Sequence, residues 1–501
     1  MSAIHLKSEI DPSFAWAPYE PGKTNPWTKA KVGHFYNRAA FGANWNELQE
    51  GFDLGPQKLV DRFIHPEEKQ QKKIKDFYVR SNAQMRTLQK LLDINQCSAW
   101  WLSRMRQSPS PLQEKMALFW HNHFATSFAK VGNIGYMLGQ YQTMHEHALG
   151  DFVQLLQAIS KDPAMLIWLD TITSEKGKPN ENYARELMEL FSLGIGHYTE
   201  MDIRQAARAF TGWRVKDKKG VFEAKNHDDG EKTVFGKKGK FQGEQIVYLC
   251  LEQKACAEFL VRKFIRYFIS EDLQLSEKSL SALIESLANQ FRRDYRIDRC
   301  IETILRSNLF YSPLAYRQRI KSPVDFTVGM ARTLESALGS LTLAETVELL
   351  GQNLFRPPSV KGWDGGTAWL NGQTILFRNQ FANTMCKSRQ PSALIANSKP
   401  KEDTGNSNLE SPNLDWSTAS PLPYILASKY QRHSLPEQKD FFFQLFFQGD
   451  LSPETRNHID QFAEQLRNPD YPAHWSERHR QEYASISLCY QFLTLPEYQL
   501  N

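Results

Sequence analysis

The stretch PNENYARELMELFSLG, residues 179 to 194, decides how this chain is read, because one short segment carries both a helical period and a concentration of polar chemistry. Tyr183, Leu187, Leu190 and Phe191 fall at i, i+4, i+7 and i+8, one apolar face of a helix. Asn180 after Pro179 offers an N-terminal cap, and Glu181 stands in the first turn, where the helix dipole favours an anion. Gly194 and Gly196 supply a stop, and Thr199 with Asp202 three residues on starts the next helix with a capping box. Glu181, Arg185 and Glu189 are spaced by four, so the arginine can pair with both acids. Asn182, Glu186 and Glu189 share a line beside the apolar stripe, where a solvated face has no need to be. Asn182, Arg185, Glu186 and Glu189 are therefore a candidate catalytic set, set against the alternative of a helix-to-helix ion-pair network.

The same period runs through most of the chain. Between Ala255 and Ser270, Leu260, Phe264 and Phe268 join Val261 and Ile265 in one stripe, with Arg262, Lys263 and Arg266 facing the other way. The class expected is mainly α: a multi-helix globular body over residues 1–386. A small β-hairpin excursion is expected at about 216–246, where glycines break the period and Asp229-Gly230 separates two β-prone runs. Residues 387–422 are rich in Ser, Pro, Asn and charge, as a flexible linker is, and 423–501 returns to helical patterning as a C-terminal cap.

With 501 residues, 41% hydrophobic and 12% aromatic, the chain can bury a large core. A net charge of +5, spread through both halves, is too mild for a nucleic-acid partner. No stretch reaches eighteen apolar residues, so no membrane span is expected, and no secretory signal is legible at the start. Six scattered cysteines without a CxxC pair read as buried reduced thiols; the expected location is cytoplasmic.

Three further stretches carry candidate chemistry. In EKMALFWHNHFATS, residues 114 to 127, His123 continues the buried stripe of Leu112, Met116 and Phe119. His121 lies about 200° round the helix from it, so the two rings can share an ion only if the helix ends near Asn122. His121 and His123, with Glu186 and Glu189, would be a mixed ligand set for a divalent metal such as Zn, Fe or Mn. The HEH run at 145–147 is a weaker version of this signal, expected at the surface. In NHDDGEK, His227 and Asp228 can bring an acid or base over a cleft, although a simple turn explains Asp229-Gly230. In LFRPPSVKGWDGGTAWLN, residues 354 to 371, Trp363 and Trp369 with Arg356, Lys361 and Asp364 form a candidate surface for stacking a sugar ring, or else the tryptophans plug the core. Walker, GxGxxG, GxSxG and HExxH signatures are missing, so the reaction class stays open.

These stretches, with GHFYNRAAFGA at 33–43, RIKSPVDFTVG at 319–329 and a tail ending in LTLPEYQ, occur in an order that resembles the bacterial family called domain of unknown function 1800. The resemblance implies a mostly helical fold and carries no assigned activity or catalytic residues. It also implies gene neighbours encoding an exported, sulfatase-like protein, hence a candidate partner. Two functions are expected from these readings: an enzyme whose polar cleft uses metal-assisted or acid-base chemistry, on a glycan for instance, or a non-catalytic partner or maturation factor. A carbohydrate-binding role stands between them.

Overall fold

The computed structural model describes residues 9–91, 93–391, 419–467 and 471–501. It is mainly α-helical, with small two-stranded antiparallel sheets as its only β structure among the described residues. No described helix is long and apolar enough to cross a membrane. All six cysteines are buried free thiols.

The chain folds as two compact units, neither of them one continuous segment. The first comprises Met1–Glu20, Gln57–Gln318 and Asn353–Asp364, and the second Pro21–Pro56, Arg319–Gln352 and Gly365–Asn501. This division differs from the expected body and cap. Helices Leu422–Lys429 and Glu477–Leu493 pack on Gly372–Lys387, burying Leu488, Cys489 and Phe492 completely, so the C-terminal helices share a core with residues well before 386. The ends of the expected linker pair as a short ladder, Arg389 with Pro421 and Gln390 with Ser420. Its middle, residues 392–418, lies outside the described residues.

In the first unit, helices Glu68–Leu91, Ile94–Gln107, Pro111–His123 and Ile134–Glu146 pack against one another. A buried ion cluster joins all four. The Glu114 carboxylate, fully buried, accepts from Arg104 Nε, Trp101 Nε1 and Tyr141 Oη, each at 3.1 Å, and His145 Nε2 lies 3.1 Å away. Arg104 also reaches Asn82 Oδ1 at 2.9 Å and lies over the Tyr78 and Trp100 rings. Although burial works against its charge, Arg104 and then His145 hold Glu114 down to a pKa of about 2. His145 is thus buried and not at the surface as expected, because its ring is needed beside this carboxylate.

The stripe read in Lys254–Phe268 packs as its period requires. Leu260, Val261, Phe264, Ile265 and Phe268 are all 2% exposed or less, each stabilising by roughly 1.5–3 kcal/mol relative to exposure.

The expected excursion is two hairpins. Strand Trp213–Lys216 pairs with Lys219–Phe222, and Lys232–Val234 with Lys237–Gly239. Their turns fall at Asp217-Lys218 and Phe235-Gly236, all with positive φ, the twist that two-residue hairpin loops require. Asp229-Gly230 instead lies in the connection between them.

Candidate functional site

Residues 182 to 193 do not form one regular helix. Asn182–Glu186 is α-helical, and Leu187–Ser192 continues it as a π-turn, with the N–H groups of Leu193 and Gly194 both donating to Met188 O, at 2.9 and 3.1 Å. Asn180 does accept from the Asn182 N–H at 2.9 Å, and the Thr199–Asp202 capping box is present. The wider turn rotates the residues after Glu186, so Met188 is buried where the 3.6 period placed Leu190, which is half-buried.

That rotation also separates the charges. Arg185 forms a two-pronged pair with Glu200 at 2.8 and 2.9 Å and a single bond to Glu181 at 3.2 Å. Glu189, read as its second helical partner, accepts instead from the Tyr198 hydroxyl at 2.9 Å. Asn182 is exposed and reaches Asp170. Glu186 is different: half-buried, it has no hydrogen-bond or ion-pair partner among the described residues. Its pKa is raised, first by burial and then by the charge of Glu189, with Arg185 opposing.

The other side of the turn is held by two side chains. His123 Nε2 lies 3.1 Å from Phe191 O, and Lys263 Nζ lies 2.9 Å from His123 Nδ1 and 3.3 Å from Leu190 O. A carbonyl only accepts, so Nε2 carries the imidazole hydrogen and Nδ1 presents its lone pair to the lysine. Burial, then the Lys263 charge, pushes the His123 pKa well below the usual range. Burial, then the Arg266 charge, pushes Lys263 down to about 7. Lys263, read from the sequence as facing away from the core, lies half-buried with its Nζ 4.8 Å from the Phe259 ring centroid. Phe259, Lys263 and Tyr267 are spaced by four beside the main stripe, and a lone cation between two aromatics was the signal that could have revealed it.

His121 points elsewhere. Its Nε2 accepts the Phe355 N–H at 3.0 Å, its ring packs against Trp101, Phe355 and Trp363, and burial pushes its pKa down to about 3. The structure does not bring the two histidines together with Glu186 and Glu189. Among the described residues, no three His, Cys, Asp or Glu side chains are grouped as a metal set.

The remaining candidates have structural partners. Asp228 pairs with both prongs of Arg208 at 2.7 and 3.1 Å and accepts from Gly230 N–H, the turn reading of this stretch; Arg208 holds its pKa down to about 2. His227 is buried, its Nδ1 3.0 Å from Thr211 O. Lys361 pairs with Asp364 at 2.8 Å, and Arg356 lies over the Phe128 ring. Trp363 and Trp369 are each only 8% exposed, as core-plugging side chains are.

Trp363 is fixed by Asn122, whose carboxamide accepts from its N–H at 2.7 Å and donates to its carbonyl at 3.4 Å. Gly362 makes this possible: φ is +84°, and an added Cβ would lie 2.2 Å from Asn122 Oδ1. Gly362→Ala is expected to lower stability by about 2 kcal/mol, strain and displacement of Asn122 together. Urea unfolding checks this; a loss within about 0.5 kcal/mol, the range of an ordinary surface change, would exclude it.

Residues 34–500 match the family described as protein of unknown function (DUF1800), and the chain belongs to that family. No curated protein and no solved structure matches it.

Proposed function

We propose that the chain is an enzyme with proton-handling groups flanking the π-turn: Glu186, before it, as an acid, and on its other side the Lys263 amine, positioned by His123, as a base. The observation that carries this reading is Glu186 itself. A half-buried carboxyl with no partner is costly for structure alone, and burial raises its pKa, the direction in which a carboxyl becomes a better proton holder. Lys263, on helix Lys254–Phe268, supports it from the far side of the turn: it is held by neutral acceptors, and no carboxylate among the described residues pairs with it. π-turns are often found at functional sites, which agrees.

The test is turnover in an extract of the source cells, followed by untargeted mass spectrometry. The wild type is expected to change the level of at least one metabolite, and Glu186→Gln and Lys263→Met to slow that change about 10²–10⁴-fold. An unchanged rate in Glu186→Gln would remove the assignment.

A second reading rests on a different observation. Leu341, Leu349, Ile375 and Leu376 are 44–64% exposed on helices Ser340–Leu349 and Gly372–Lys387, which pack together. Exposed large apolar side chains on two packed helices suit docking of a protein partner, for which we take the sulfatase-like neighbour as the candidate. Leu349→Asp with Leu376→Asp would then abolish co-purification with that neighbour, and retention would refute the docking.

A further inference from the structure

We propose that Lys263 is a nucleophilic amine that captures an oxo acid, an aldehyde or ketone bearing a carboxylate, as an imine. This rests on the acid-base reading of the same turn and adds the bond formed and the substrate class.

A neutral amine has two hydrogens and one lone pair, and two acceptors meet Nζ here: His123 Nδ1 at 2.9 Å and Leu190 O at 3.3 Å. Both hydrogens are taken and the lone pair is left to point away from them. His123 cannot turn to offer a hydrogen, because its other nitrogen is committed to Phe191 O. Buried Lys232 is likewise held by neutral acceptors, the Asp228 and Gly230 carbonyls, but partly exposed lysines of this fold pair with carboxylates. Lys254 pairs with Glu258 and Glu285, and Lys161 with Glu244, whereas Lys263 has no carboxylate among the described residues. The pKa of about 7 agrees, leaving a large neutral fraction at physiological pH.

The carboxylate is inferred from Arg266. One helical turn beyond Lys263 and exposed, its charge is close enough to depress the amine, yet it has no ion-pair or hydrogen-bond partner among the described residues. A guanidinium beside a nucleophilic amine matches a substrate with an anion next to its carbonyl.

In the reaction, the Nζ lone pair forms a bond to the carbonyl carbon while the carbonyl π pair moves to oxygen. Proton transfer from nitrogen to that oxygen gives the carbinolamine. Protonation of the hydroxyl lets it leave as water, the nitrogen lone pair forms the C=N bond, and no oxidant or reductant is required.

The full-length protein is treated at pH 7 with glyoxylate and sodium cyanoborohydride, the latter serving only to trap the imine, and carboxymethylation of each lysine is tracked by peptide mass spectrometry. Lys263 is expected to be modified at least about tenfold faster than the exposed Lys361, and Arg266→Gln to slow labelling by glyoxylate about tenfold while slowing labelling by propionaldehyde much less, only by the smaller neutral fraction of the amine. Equal rates at Lys263 and Lys361 would overturn the proposal, and an equal effect of Arg266→Gln on both aldehydes would overturn the oxo-acid class. Because the main readout uses the wild type, a poorly folded variant does not blunt it. Trapping at Lys263 alongside unchanged turnover in Glu186→Gln would retain the imine and remove the acid assigned to Glu186; the reverse pattern would do the opposite.

Discussion

Glu114→Ala is expected to destabilise the protein by about 3–5 kcal/mol, the cost of leaving a buried cation without its anion. Arg104 is 3% exposed, and Glu114 is the acid paired with it. Removing the carboxylate also strips an acceptor from Trp101 Nε1 and Tyr141 Oη in a space too apolar to replace it cheaply. Glu114→Gln, which keeps the shape and one acceptor oxygen, should cost less than Glu114→Ala. Replacing both partners, Arg104→Met with Glu114→Met, should recover much of the loss, because the penalty lies in the unpaired charge. Urea unfolding of the four proteins decides it, and a loss below about 1 kcal/mol in Glu114→Ala would mean that Arg104 finds other compensation.

The second large effect is acid sensitivity from His121. Its folded pKa of about 3 lies below the unfolded value near 6.5, so the unfolded chain takes up a proton that the folded chain refuses. The stability it supports is intact above pH 6.5 and is lost as pH falls from there towards 3, at about 1.4 kcal/mol per pH unit. By pH 5 the loss is about 2 kcal/mol, and His123 shifts in the same direction. Asp162 opposes both. Burial raises its pKa to about 7, so its contribution improves as pH falls from 7 towards the unfolded value. Comparing wild type with His121→Gln isolates the histidine, since Asp162 is common to both. The stability gap between them should shrink by about 2 kcal/mol between pH 7 and pH 5. A constant gap would show that His121 titrates normally.

The fold class was legible because the stripe of Leu260, Phe264 and Phe268 and the caps at Asn180 and Thr199 are local, and local signals survive without tertiary knowledge. The π-turn was not legible. A count at 3.6 residues per turn places Leu190 in the core and Glu189 beside Arg185, and one wider turn moves Met188 inward and sends Glu189 to Tyr198. Glu186 keeps its expected place at the margin of the core because it precedes that turn. Lys263 escaped because its partners, His123 and Leu190, lie far away in sequence, and the Glu114 cluster escaped because it joins four helices that pattern alone does not pair. The tryptophan-rich loop left a stacking surface and a core plug both open, because the contact that holds Trp363, with Asn122, is one that composition does not reveal.

The interleaving of the two units governs what shortening the chain can teach. The polypeptide passes from one unit to the other after Glu20, Pro56, Gln318, Gln352 and Asp364. Stopping it at residue 386 would therefore amputate no appendage; it would lay bare the inner side of Gly372–Lys387, and any binding lost or gained would report on a damaged core. A protease finding a cut between the units would likewise release no independent half, since each is sewn from three pieces. Questions about partners have to be put to this protein by point substitution.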